Sequence, residues 1–187
     1  MKLSISPRAS ERKSDTKKLR RQGQIPGVLY GSKKTNQNIF FPLEEFQVIL
    51  RQLRQGLLAT TVFTLHDQEG KTSKAIVKEV QYHPASYAIL HVDFILISDR
   101  DEVTVNIPIQ ISGVAECAGV KLGGFMRHVV RSMKARCLLK DLPQELVLDV
   151  RELEIGQSKT LADVSLPAGV RSLSRMKEVA VVIAKKV

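Results

Sequence analysis

The stretch "SYAILHVDFILIS", residues 86–98, decides how the first half of the chain folds. Leu90, Val92 and Phe94 alternate with Ile89, His91 and Asp93, and a period of two is the signature of a β-strand with two unlike faces. One face is apolar. The other carries an imidazole and a carboxylate two residues apart. A strand of this kind packs its apolar face on a core and presents its polar face outward. Working back from it, "LLATTVFTLHDQEGKTSKAIVKEVQYHP", residues 57–84, reads as a hairpin turning at Asp67–Gly70. The alternation around Ile76–Tyr82 is imperfect and leaves open whether Lys78 or Glu79 faces outward. "PLEEFQVILRQLRQG", residues 42–56, has Leu43, Phe46, Ile49, Leu50 and Leu53 at helical spacing. Pro42 and two glutamates begin this helix; Arg51, Arg54 and Gly56 end it, so the helix dipole accounts for its arginines.

Further upstream, "KLSIS" at 2–6 predicts a first strand stopped at Pro7, and "RASERKSD" at 8–15 predicts a loop. A short helix is expected over 16–22, capped by Ser14 or Asp15 and closed by Gly23. Leu19 is its only strong hydrophobe, so it must dock on a domain to persist. "IPGVLYG" at 25–31 reads as a turn fixed by Pro26 and Gly27, then a strand, with "NIFF" at 38–41 as its partner.

After "SDRDE" at 98–102 the pattern changes, and domains of 1–97 and 98–187 are expected. "EVTVNIPIQISG", "FMRHVVRSMKARCLL", "QELVLDV", "KTLADVSLP" and "EVAVVIA" are short apolar runs punctuated by Gly and Pro. They predict a second, β-rich domain. The fold class is therefore mainly β with a few helices. With no tryptophan among 187 residues and only six phenylalanines, the core is expected to be mostly aliphatic. Few aromatic platforms are on offer for stacking single-stranded bases.

Charge is distributed unevenly. The net charge is +10, and residues 1–34 carry ten Lys/Arg against two Asp/Glu. Within this segment "TKKLRR", residues 16–21, places four basic side chains in six positions. Arg8, Arg12 and Lys13 precede it, and Lys33 and Lys34 follow. Solubility does not require such clustering; a phosphate-binding surface does. No helix-turn-helix or zinc-finger pattern directs the charge to DNA.

Catalytic chemistry finds little support. His91 beside Asp93 has the composition of an acid–base dyad, but no nucleophile elbow accompanies it. "GVKLGG", residues 119–124, lacks the Walker spacing and reads as a turn. Cys117 and Cys137 form no CxxC pair and are expected to be reduced thiols. No metal site, cofactor or small-molecule substrate is implied. The N-terminus lacks the apolar core of a signal peptide, and no apolar run approaches a membrane span, so a cytoplasmic protein is expected.

"KKLRRQGQIPGVLYG", "VQYHP" and "LHVDF" together resemble the bacterial large-subunit ribosomal protein L-twenty-five family. "DLPQELVLDVRELEIGQSKTLADVSLPAGVR" resembles the extra domain of that family's long form, the general stress protein CTC. The resemblance implies a small β-barrel with helices followed by a β-rich domain absent from short members. It also implies a non-enzymatic constituent of the large ribosomal subunit, monomeric there, that binds 5S ribosomal RNA at an irregular internal loop. Such loops are read by shape, phosphate and 2′-hydroxyl contacts rather than through the narrow major groove.

Carried over by motif, the implied RNA contacts are Arg8, Lys13, Thr16, Lys17, Lys18, Arg20, Tyr30, Lys78, Gln81, Tyr82, His91 and Asp93. Departures from the family pattern fall on Arg12 and Ser14, where glycines are usual, and on Lys17, where arginine is usual. Lys78 and Tyr82 stand where Gln and Arg are common. The competing reading is a basic protein-interaction module that binds an acidic partner.

Overall fold

The computed structural model describes residues 1–8, 12–31, 36–98 and 102–185. The chain divides into two compact units, Met1–Asp101 and Glu102–Val187.

In the first unit, strands β1 (Lys2–Ser4), β2 (Ser6–Pro7), β3 (Gln24–Tyr30), β4 (Gln37–Pro42), β5 (Val62–His66), β6 (Thr72–Tyr82) and β7 (Ile89–Leu96) form one sheet. Its order is β1-β5-β6-β7-β3-β4-β2. The two edges, β1 and β2, are consecutive in the chain. Ile5 N–H donates to His66 O on the β5 side at 2.8 Å, and Arg8 N–H donates to Asn38 O on the β4 side at 2.8 Å. One extended segment thus bridges both edges and curls the sheet into a barrel, which removes the exposed edges an open sheet would present.

Alternation fills the barrel as the sequence requires. Val92 and Phe94 of β7 are fully buried, together with Leu3, Ile25, Leu29, Ile39, Phe41, Phe63 and Leu65. Helix α2 (Leu43–Gln52) closes it with Phe46 and Ile49, and Leu43, Leu50 and Leu53 pack beside them. The core is aliphatic by number, but its centre is aromatic. Phe41, Phe46, Phe63 and Phe94 form a closed circuit with ring centroids 5.4 to 6.2 Å apart. Two of these contacts, Phe41–Phe94 and Phe63–Phe94, are edge-on, an arrangement the ring quadrupole favours.

Two local expectations are corrected, and one alternative left open is resolved. Helix α1 spans Lys13–Arg21, three residues earlier than expected. Its N-cap is Arg12, with no side-chain cap; Asp15 lies inside the first turn, where a carboxylate suits the dipole. Gly23 does follow the helix, at φ +74°. Second, Pro26 and Gly27 belong to β3, not to a turn. The β3–β7 register begins at Gly27↔Val92, so the missing N–H of Pro26 falls outside that ladder. Gly27 is needed there because a Cβ would lie 2.6 Å from Val92 O. Third, β6 carries a bulge between Val77 and Glu79 that leaves Lys78 out of register. Both Lys78 and Glu79 are exposed.

In the second unit a four-stranded sheet is built from β8 (Glu102–Ser112), β10 (Ser132–Leu138), β11 (Leu146–Asp149) and β13 (Arg171–Ser172), in the order β11-β8-β10-β13. A three-stranded sheet has the order β12-β14-β9, from β9 (Phe125–His128), β12 (Ser158–Thr160) and β14 (Val179–Ala184). The run "FMRHVVRSMKARCLL" is split between the two sheets. Val129 N–H donates to Ala180 O and Arg131 O accepts from Ile109 N–H, so the chain crosses from one sheet to the other at 129–131. "GVKLGG" begins in the single helical turn α3 (Ala118–Lys121). Cys117 and Cys137 are buried free thiols.

Candidate nucleic-acid interface

The outer face of the barrel sheet gathers the predicted strand residues. His91 and Asp93 project from β7 opposite the buried Val92 and Phe94, as their parity requires. Antiparallel pairing sets Gln81 of β6 opposite His91 and Glu79 opposite Asp93. Parallel pairing sets Val28 and Tyr30 of β3 beside Asp93 and Ile95. The bulged Lys78 places its Nζ 4.9 Å from the centre of the Tyr30 ring, a cation–π contact.

His91 Nδ1 lies 2.8 Å from Asp93 Oδ1, with side chains 19% and 14% exposed. Nδ1 is buried and has no other hydrogen-bond partner among the described residues. Burial pushes the His91 imidazole below its usual value. Asp93 opposes that shift, whereas Arg8 and Arg20 add to it. The Tyr30 phenol is held above its ordinary range, first by partial burial and then by the charge of Asp93 and a hydrogen bond to it. Glu79 adds to this. At neutral pH the phenol is therefore a donor.

The direction of the His91 shift has a consequence for stability. In the unfolded chain histidine takes up its proton near pH 6.5. In the fold it does so at lower pH. The stability present above pH 6.5 is therefore lost as pH falls through 6.5 toward the folded value. His128 is shifted in the same direction by burial and contributes likewise. His91→Gln is expected to show a shallower loss of stability below pH 6.5 than the parent chain. Urea midpoints across a pH series would measure it, and parallel curves would contradict it.

Helix α1 packs on β3 and reaches β7. Its Arg20 Nε donates to Leu90 O at 2.9 Å, one residue before His91. That bond anchors the helix to β7 and directs a basic helix to the edge of the His91–Asp93 patch. Lys17 and Lys18 are exposed, and Thr16 is half-buried. Arg8 is on the closing segment after β2, with its Nε buried and unpartnered among the described residues. Tyr82 is 48% exposed at the far end of β6, beyond a second register irregularity. The side chain of Lys13, with Lys33 and Lys34, lies outside the described residues.

Sequence reasoning left out Glu79. Only the bulge brings it beside Asp93 and Tyr30, and a bulge is set by the partner strand. A cleft of about 530 Å³ at one end of the barrel is lined by Arg8, Asn38, Asp67 and Lys71 among others, not by His91 or Asp93. Among the described residues no group of three or more His, Cys, Asp or Glu is placed to hold a metal, and no helix is long and apolar enough to cross a membrane.

The first unit is in form a small β-barrel with a basic helix bonded to one of its strands. Comparison with known proteins specifies the family. Residues 3–94 match the model of the ribosomal L25p family, and residues 102–186 match that of the ribosomal protein TL5 C-terminal domain. The large ribosomal subunit proteins bL25 of Chlamydia abortus and Chlamydia caviae are 42% and 43% identical over 187 residues, covering the whole of each chain. That of Chlamydia pneumoniae is 38% identical over 186 residues, again at full coverage. The chain belongs to the bL25 family of large ribosomal subunit proteins, in its long, two-domain form. It is a structural constituent of the cytoplasmic ribosome and not an enzyme.

Proposed function

We infer that the first unit binds 5S ribosomal RNA, at an irregular internal loop, through α1 and the outer face of β3, β6 and β7. The observation that carries this reading is the Arg20–Leu90 bond, which holds a cationic helix against a mixed donor–acceptor patch. The signs of charge sort the contacts. Phosphates are repelled by Asp93 and Glu79, so the RNA backbone runs along Lys17, Lys18 and the terminal nitrogens of Arg20. Base edges and 2′-hydroxyls then fall over Tyr30, Lys78, Gln81, His91 and Asp93, where donors and acceptors alternate. Tyr82 and Thr16 extend the patch at its two ends, and Arg8 and Lys13 extend the phosphate grip. The basic surface is rigid, fixed by the barrel, and acts as a preformed platform. The protein serves there as a monomer among other large-subunit components.

Competition tests the assignment. The full chain bound to labelled 5S RNA is challenged with excess transfer RNA and with excess unlabelled 5S RNA. Only the latter is expected to displace the complex. Equal displacement by both would favour a basic module with incidental RNA affinity.

A further inference from the structure

The four-stranded sheet of the second unit has a cationic outer face that the barrel reading does not use. Its inner face packs the core with Val103, Val105, Ile107, Met133, Ala135 and Cys137. By parity, Lys134 and Arg136 of β10 point the other way, and both are exposed. Arg136 is registered directly opposite Arg171 of β13. Beyond β13 the chain stays beside β10. Leu173 N–H donates to Lys134 O at 2.8 Å, and Ser174 Oγ accepts from Lys134 N–H at 3.0 Å. Exposed Arg175 follows on the same segment.

A directly opposed like-charge pair on adjacent strands destabilises a sheet. Here it is barely relieved. Glu102 Oε2 is 4.0 Å from Arg136, with both side chains more than half exposed. Such a pair contributes little. Among the described residues neither Lys134 nor Arg171 has a carboxylate within ion-pair distance. Arg136 and Arg171 are thus held together at a cost to the fold that an external anion would reduce.

We propose that this face, Lys134, Arg136, Arg171 and Arg175, is a second RNA-backbone contact of the protein, made by the second unit. RNA is favoured over an acidic protein by what surrounds the charges. Exposed Thr104, Asn106, Gln110 and Ser132 flank them, offering hydroxyls and amides to phosphate and 2′-hydroxyl oxygens. A protein interface centres on apolar side chains. The larger exposed apolar groups of this unit, Leu122, Phe125 and Val129, lie in and around β9, which belongs to the other sheet. Val147 is on β11, two strands from β10, and only Leu173 is an exposed large hydrophobe on the 171–175 segment.

The test uses the full chain and deproteinised large-subunit ribosomal RNA, the 5S and long RNAs together. Affinity is measured across a salt series for the parent chain, for K134Q/R136Q/R171Q, for R136K/R171K and for K17A/R20A. Three lost phosphate contacts are expected to flatten the log–log salt slope of K134Q/R136Q/R171Q by about 2. R136K/R171K, which keeps the charge, is expected to retain the parent slope. This separates a lost contact from a damaged sheet. A parent-like slope in K134Q/R136Q/R171Q overturns the proposal. That same slope together with loss of the variant from assembled subunits assigns the face to an acidic protein and overturns it equally. K17A/R20A reports the barrel surface separately, so an unchanged slope there counts against the barrel reading alone.

Discussion

Phe94→Ala is expected to destabilise the first unit by about 3–5 kcal/mol, the usual range for deleting a buried aromatic ring. Phe94 is fully buried and touches both Phe41 and Phe63 edge-on, so its removal opens the circuit at the barrel's centre. A single domain has only about 5–15 kcal/mol of stability in total. The substitution therefore consumes a large part of it. RNA binding should fall with it, because His91 and Asp93 project from the opposite face of the same strand. Phe94→Leu, which refills most of the volume, should cost clearly less. Urea unfolding of both variants measures the difference. A loss below about 1 kcal/mol for Phe94→Ala would mean that the ring circuit is not what holds the barrel.

The second large effect belongs to the helix. If Lys17, Lys18 and Arg20 grip phosphates as proposed, replacing them together by alanine should flatten the salt slope by about 2. If the parent and variant lines converge at 1 M salt, a slope change of 2 corresponds to about a 100-fold weaker complex at 0.1 M. Arg20→Lys separates the two duties of that arginine. It keeps the charge but loses the Nε bond to Leu90 O. The slope should stay while preference for the cognate RNA declines, because the helix is no longer held at the edge of the His91–Asp93 patch. An unchanged slope in the triple alanine variant would remove α1 from the phosphate contacts.

Much of this surface was legible in the sequence because strand parity is local. His91 and Asp93 fall on one face and Val92 and Phe94 on the other for the same reason that successive Cβ atoms alternate. The basic helix was visible in "TKKLRR", and its need for docking followed from having only Leu19 to bury. What escaped was non-local. The start of α1 was missed because Arg12 sits at the N-cap with no side-chain cap to mark it. Pro26 and Gly27 read as a turn because proline is usually excluded from interior strands. Only the point at which β7 joins β3 explains their tolerance. The β6 bulge that brings both Lys78 and Glu79 into the site depends on register with β7, which no single strand contains. The closure of the barrel by residues 2–8 rests on partners in β4 and β5 for the same reason. In the second unit, Arg136 and Arg171 are distant in the chain. Their opposition emerges only from the β10–β13 pairing, and β13 is two residues long.

Whether α1 and the β3–β6–β7 face fit one folded RNA is read from backbone-cleavage footprinting of purified 5S RNA with the full chain at moderate ionic strength. Protection confined to one irregular internal loop, retained in K134Q/R136Q/R171Q and lost when Lys17, Lys18 and Arg20 become alanine, is the predicted result. A 5S RNA cleaved equally with and without the protein, or protected diffusely along its length, would contradict it.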